Sequence, residues 1–315
     1  MTLHSLFRIV FFIFLTLSHT IYSHGEDNFT NFKIISGSVT GVYYPTAGAF
    51  CRIINKNSNN KYCSVIISEG SLSTSKILQS NPLNYALIQS DIAENKYLHN
   101  DFRNLRQVFS ATDELFTILV RKNSRINSFN DLETKAISFG NKGNGAATIF
   151  EQIIQVKNMD VNNFHFVESN PSDLPENLCE GKIDAAVLAV SEPNGLVQEI
   201  LQKCETEILA LNKNEIDSLL KNNKTYKLAS FTDKYYKIPR NVKTIAIKSC
   251  LYTTSEMDTD QVYDFTKTIF ENIDSIQSFH PAFQSFHPGE MANQITDVPL
   301  HPGARKYFLE QKLMK

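Results

Sequence analysis

The sequence predicts an α/β fold in which parallel strands are covered by helices on both faces. Three observations carry this expectation. Short apolar runs rich in Val, Ile and Phe recur along the chain, helical patterns with recognisable starts separate them, and 315 residues at 42% hydrophobic content supply core for about two domains.

The strand candidates are residues 32–36, 64–67, 85–89, 115–120, 136–139, 164–167, 185–190 and 244–247, each of a length that suits a buried strand. Between them, Pro45 precedes a helical pattern over 47–54, Ser71 one over 74–79, Ser128 one from Asp131, a Gly-rich stretch one over 149–156, and Pro193 one over 196–201. Pro fits the first turn of a helix because its missing N–H is unneeded there, and Ser caps the free N–H groups. Val262, Phe265, Ile269 and Phe270 share one face of a longer helix expected over 259–279. No internal repeat or low-complexity segment interrupts this alternation.

Composition removes several function classes. Lys+Arg 31 against Asp+Glu 33 leaves no basic footprint for a nucleic-acid backbone or an anionic membrane. Phe 22 and Tyr 12 supply too much apolar surface for a disordered chain. At the start, Arg8 precedes an apolar run over 9–17 that is broken only by Thr16, and residues 18–23 are mostly small or polar. This reads as a signal peptide over 1–23, because the run is far short of the roughly 20 residues that cross a bilayer. The mature chain is then exported.

Export gives the five cysteines an oxidising compartment. Neighbours in sequence pair as Cys51 with Cys63, stapling a helix to the following strand, and Cys179 with Cys204, linking a helix to a segment two elements on. Cys250 is left as a buried free thiol. No C-x-x-C or C-x-x-H spacing occurs, so neither zinc nor another metal is expected.

In open α/β sheets ligands bind beyond the carboxyl ends of the strands. Five strand ends here are rich in glycine, hydroxyls and amides: Gly37-Ser38-Val39-Thr40-Gly41-Val42-Tyr43-Tyr44, Ser68-Glu69-Gly70-Ser71, Gln89-Ser90-Asp91, Gly143-Asn144-Gly145-Ala146-Ala147-Thr148, and Ser191-Glu192-Pro193-Asn194. Several lead into helical patterns, where the partial positive charge of a helix N-terminus favours an anion such as a carboxylate. Routine capping explains any single one of these loops; five together point to a shared site. The candidate ligand-binding residues are Ser38, Thr40, Gly41, Tyr43, Tyr44, Glu69, Ser71, Gln89, Asp91, Asn144, Gly145, Ala146, Ala147, Thr148, Ser191 and Glu192.

The stretch from Ser36 to Pro45, with Cys51-Arg52-Ile53-Ile54-Asn55 and Cys63-Ser64-Val65, resembles the N-terminal signature of the TAXI family of TRAP-transporter solute receptors. The resemblance continues through Ala86-Leu87-Ile88-Gln89-Ser90-Asp91, Gly181-Lys182-Ile183-Asp184-Ala185 and Glu192-Pro193-Asn194-Gly195, and closes with His280-Pro281-Ala282-Phe283 and Pro299-Leu300-His301-Pro302-Gly303-Ala304. It implies a type II periplasmic binding protein fold. In that fold two lobes, here residues 24–120 with 244–315 and residues 121–243, are joined by two hinge strands with the ligand cleft between them. It also implies a periplasmic receptor, monomeric and without cofactor, that captures an amino acid such as glutamate or a dicarboxylate such as 2-oxoglutarate. The partner would be an ion-gradient-driven TRAP permease; a sensor partner or a surface-antigen role is the alternative.

Two departures bear on the ligand. Many members carry Gly-Ser-Gly-Thr-Arg where Gly143-Asn144-Gly145-Ala146-Ala147 stands here, so the arginine position is Ala147 and a dianionic ligand is less favoured. Glu192 places an acid near the cleft that would read an ammonium, or else cap a helix. Enzyme readings fare worse. The Gly143 stretch with Glu168 imitates a dinucleotide fingerprint, but Thr148 stands where close helix packing needs Gly or Ala. His280, His287 and His301 each precede Pro without the G-x-S-x-G or H-E-x-x-H of an exported hydrolase.

Overall fold

The computed structural model describes residues 30–58, 61–140, 143–238 and 241–314. The expected signal peptide lies outside these residues. Along the chain, β1 (Thr30–Ile35), α1 (Tyr43–Asn57), β2 (Lys61–Ile66), α2 (Ser71–Ser80), β3 (Tyr85–Gln89) and α3 (Ser90–Leu98) alternate and lead into the long strand β4 (Leu105–Arg121). Next come β5 (Ala136–Ser138), α4 (Gly145–Val156), β6 (His165–Phe166), α5 (Leu174–Glu180), β7 (Ala185–Val190), α6 (Gly195–Lys203), β8 (Thr206–Ile208), α7 (Lys213–Asn222) and β9 (Tyr226–Phe231). The second long strand, β10 (Val242–Thr254), precedes α8 (Thr259–Glu271), α9 (Ile273–Gln277), α10 (Pro288–Met291) and α11 (Pro302–Glu310). Among the described residues, no helix is long and apolar enough to cross a membrane.

The strands pair in the order β2-β1-β3-β10-β4-β7-β5-β6, with β8 on β4 and β9 on β10. Parallel pairing, expected throughout, holds only on the flanks, where β1 runs with β2 and β3 and β5 with β6 and β7. The centre is antiparallel, because β4 and β10 run against each other and each against its outer neighbours. Only residues 115–120 and 244–247 of these two strands are legible as apolar runs. The remainder carries buried polar residues such as Gln107, Ser110 and Ser249, which satisfy one another or loop carbonyls: Gln107 Nε2 and Ser110 Oγ both donate to Asn293 O, at 3.1 and 3.0 Å. Midway, the register slips so that Ala111 and Thr112 of β4 oppose Ser249 of β10, a β-bulge.

Apolar packing changes over at that bulge. From Phe32 to Ala111 and from Cys250 onward, buried side chains form two clusters on opposite faces of the sheet, one centred on Phe265, which stacks on Tyr85 at 4.3 Å and meets the edge of Phe32 at 5.8 Å. Leu115 to Ile247 form a second pair, in which Phe150 meets Phe129, Phe139 and Phe164. Residues 115–120, read from sequence as the end of the first lobe, pack with this second pair.

Two further expectations are corrected. The helix over 259–279 breaks at Asn272, whose side-chain amide donates back to Thr268 O at 2.8 Å and whose backbone leaves the helical region, so α8 and α9 are separate. The strand over 164–167 shrinks to the two exposed residues of β6 at the sheet edge. Strands β8 and β9 and helices α3, α5, α7, α10 and α11 lie where no element is legible from the pattern.

Both expected disulfides are present. Cys51 on α1 joins Cys63 on β2 with Cα atoms 4.9 Å apart, and Cys179 on α5 joins Cys204 at the end of α6 at 5.6 Å; Cys250 is buried and free. Closing loops of 12 and 25 residues gives each bridge about 3 kcal/mol by restricting the unfolded chain. Replacing Cys51 and Cys63 together by Ser is expected to lower the unfolding free energy by about that amount in urea titrations. A loss under about 1 kcal/mol would show that the bridge constrains nothing the fold does not already hold.

Candidate functional site

The strand ends converge at the bulge. Loops after β1 and β2 approach from one half of the sheet, those after β5 and β7 from the other, and together they enclose a cavity of about 90 Å³. Of the residues singled out from sequence, Ser38, Thr40, Gly41, Tyr43, Glu69, Ser71, Gln89, Asn144 and Gly145 line it. Local bonding explains how the loops hold their shape. Ser36 O accepts from Ser68 Oγ at 2.6 Å and Thr74 Oγ1 at 3.0 Å, tying the end of β1 to α2, and Ser71 Oγ accepts from Gln89 N at 3.0 Å, tying α2 to β3.

Seven candidates lie off the lining. Tyr44 is exposed. Asp91 is turned away and accepts from Tyr226 Oη at 2.7 Å, while Ser191 Oγ donates to Thr112 Oγ1 at 2.7 Å within the bulge. Ala146, Ala147 and Thr148 follow the lining residue Gly145 into α4. Their backbone is not open to an anion as the sequence reading expects, because Ala146 N donates to Asn144 Oδ1 at 3.0 Å and Ala147 N to Asn144 O at 3.3 Å. Glu192 is half-buried beside the lining, and burial pushes its carboxyl up to about 7.

Glu114 is the charged lining residue that sequence reasoning missed. It sits on β4 and is 3% exposed; its Oε2 accepts from Gln89 Nε2 at 2.7 Å, and the Tyr43 hydroxyl faces the same carboxyl. A signal for it existed, since Asp113-Glu114 directly precedes the apolar run 115–120, and a charge embedded in a buried strand needs a reason. Burial, helped by the nearby Asp91 and Asp113, pushes the Glu114 carboxyl up to about 8 against the pull of Tyr43 and Gln89. Burial also raises Asp91 to about 6, opposed by its bonds to Tyr226 and Ile92. Leu188, Ala189, Val190, Leu196 and Pro171 form an apolar wall on the other side.

Two glycines set how closely the halves meet. Gly70, at φ 135°, has its missing Cβ position 2.7 Å from Gly143 O, and Leu72 N donates to that same oxygen at 3.2 Å. A Cβ on Gly145 would stand 1.5 Å from Gln89 Oε1, so Gln89 lies directly over the start of α4. Helices α1 and α2 begin without side-chain caps or acidic residues in their first turns, whereas α4 and α6 are closed by Asn144 and Asn194. The first turns of α1 and α2 thus keep backbone N–H groups that no side chain caps, although Gly143 O takes that of Leu72. The His-Pro pairs serve turns: His280 Nδ1 accepts from Ala282 N at 3.1 Å and His301 Nδ1 from Gly303 N at 3.2 Å.

Residues 34–311 match the model of the NMT1-like family. The chain belongs to the NMT1-like family. Solved structures similar to this member include MatC from Rhodopseudomonas palustris with bound malate, 10% identical, covering 81% of this chain and 88% of that one at a TM-score of 0.54. The periplasmic binding protein BugD, 10% identical over 90% and 93% of the two chains, scores 0.52. XAC2383 from Xanthomonas citri bound to ATP, 9% identical over 90% and 98%, also scores 0.52. The NMT1-like chain therefore has the fold of periplasmic binding proteins.

Gly145→Ala is expected to drive Gln89 off Glu114 and destabilise the protein by about 1 to 3 kcal/mol in urea titrations, although Ala favours a helix more than Gly does. Adding Gln89→Ala should make the Gly145 change nearly neutral; additive losses would show that the contact is not what matters. A second expectation concerns pH. In the folded protein Glu114 ionises near 8 against 4.5 for an ordinary glutamate, so the fold binds its proton more tightly than the unfolded chain does. That stabilisation is complete below the unfolded value and is lost as pH rises through about 8. Asp91, raised to about 6 from 3.8, acts in the same direction over its own lower window. Melting temperature should fall from about pH 5 to 8, and Glu114→Gln should flatten the upper part of that fall. An unchanged slope in the variant would place the titrating group elsewhere.

Proposed function

We propose that the protein is a periplasmic solute-binding receptor, exported by residues 1–23, that encloses a small carboxylate and delivers it to an ion-gradient-driven TRAP-type permease. One observation carries this reading: the cavity lies between two separately packed halves of a single sheet, with direct bonds across its mouth such as Leu72 N to Gly143 O. In this proposal the halves are lobes, and β4 and β10 are the hinge strands. On this reading the lobes would meet between Ala111 and Leu115 and between Ile247 and Cys250, where the apolar clusters change over, in place of the boundaries at 120 and 244 expected from sequence.

The uncapped starts of α1 and α2 would receive the carboxylate through backbone N–H groups. MatC holds malate, a small dicarboxylate, on the same fold, while XAC2383 holds ATP, so ligand class comes from the lining and not from the architecture. Ligand contacts to both lobes would favour the closed form. The TAXI resemblance supports the TRAP partnership.

Protein stripped of carried-over ligand is expected to gain melting temperature, rising with concentration, from at least one member of a panel of amino acids, keto acids and dicarboxylates. Tyr43→Ala and Gln89→Ala should each weaken that response. A flat response across the whole panel would overturn the carboxylate reading.

A further inference from the structure

The polar groups at the base of the cavity have a sign. Glu114 is 3% exposed and Gln89 2%, and Gln89 Oε1 is buried with no hydrogen-bond partner. Glu69 stands at the mouth, and among the described residues no Lys, Arg or His side chain lines the cavity. At that base the Glu114 carboxyl and the Gln89 amide present three oxygens against two donor atoms, the Gln89 amide nitrogen and the Tyr43 hydroxyl, and a carboxyl withdrawn from water is costly unless something charged or hydrogen-bonded meets it. A ligand carrying only carboxylates would leave Glu114 protonated and bring no donor of its own. One carrying an ammonium would supply the missing donors.

We propose that the Glu114 carboxyl, held by Gln89 and faced by Tyr43, is the subsite for a cationic amine, so that the ligand is a zwitterionic amino acid and not a dicarboxylate or keto acid. This rests on the receptor reading above and narrows it. The carboxylate end would lie at the starts of α1 and α2, and the amine end against β4. Glu192, the acid that the sequence offers for this role, lies off the lining, and Glu114 takes its place.

The chemistry predicts a proton. In the empty site Glu114 is largely protonated at pH 7, since burial raises it to about 8. Docking an ammonium ionises it: the Glu114 carboxyl becomes a carboxylate paired with the ligand's ammonium, and one proton leaves to solvent. The other titratable groups that act on Glu114 or lie near it are Tyr43 on α1, Asp91 on α3, Asp113 on its own strand and Cys250 on β10, with Glu69 at the mouth. The Glu114 variant is what separates its proton from theirs.

The experiment is titration calorimetry on stripped full-length mature protein at pH 7, in buffers of different ionisation enthalpy. Amine and keto partners that share a skeleton serve as probes, alanine with pyruvate and glutamate with 2-oxoglutarate. The expected result is binding of an amino acid with release of about one proton, much weaker binding of its keto partner, and, in Glu114→Gln, loss of both the proton and roughly thirtyfold or more in affinity for the amino acid alone. Equal binding of the two partners, or binding with no proton released, would overturn the amine subsite while leaving the receptor reading intact. If no probe binds, the carboxylate-receptor reading and the subsite fall together. The proton count on the unsubstituted protein decides the question even if Glu114→Gln does not fold.

Discussion

The antiparallel pairing of β4 with β10 is the constraint on which the other features depend. These strands run through the middle of the sheet and pair with each other on both sides of the bulge at Ala111, Thr112 and Ser249. Thr112 Oγ1 accepts from Ser191 Oγ at 2.7 Å and lies 3.0 Å from Ser249 Oγ, so hydroxyls replace apolar side chains where the register slips. Hydroxyls tolerate the slip because each can donate or accept as its neighbour requires. Apolar side chains there would fuse the two pairs of clusters into one core. The bulge keeps them apart, and in the proposed receptor that separation lets one half move against the other.

Glu114 lies just beyond the bulge, and its position follows from the same geometry. Side chains alternate along β4, so Glu114 and Phe116 share a face while Leu115 points into the opposite cluster. Phe116 is buried in apolar packing, but Glu114 meets Gln89 at the end of β3 and Tyr43 at the start of α1. Gly145 completes the enclosure by letting α4 start against the Gln89 amide. A carboxyl, an amide, a phenol and a missing side chain, drawn from four elements, thus meet at one place. Removing any one of them reaches the others.

The alternation of strands and helices was legible because a buried strand and an amphipathic helix leave different periods in the sequence. The ends of β1, β2 and β3 were legible too, since Gly37, Gly41, Gly70 and Ser71 mark where the backbone must turn. Long-range consequences were not. Nothing in the local pattern of 105–114 announces a strand, because its buried polar residues are satisfied by Asn293, Ser249 and Gln89, far away in sequence. Glu114 went unnoticed for the same reason: its environment is made by residues 25 and more positions distant. Asp91, by contrast, has the sequence position of a ligand contact but is claimed by Tyr226 from across the sheet.

The near balance of total charge fits a site whose discrimination is local. The bonds that hold the proposed lobes together are few and mostly at the surface: Lys224 reaches Glu94 and Asp297 with its side chain about half exposed, and Lys227 reaches Asp113 in a similar setting. Such pairs contribute between nothing and about 1 kcal/mol each once solvent screening is counted. The buried Tyr226 to Asp91 bond and the backbone bond from Leu72 to Gly143 add about 1 to 3 kcal/mol between them. These polar bonds together therefore contribute a few kcal/mol, about the range over which a ligand touching both sides changes which form is populated. Stronger bonds across the mouth would hold the cavity shut without ligand. Weaker ones would leave all the ordering to be offset by binding, and the modest set seen here lies between these limits.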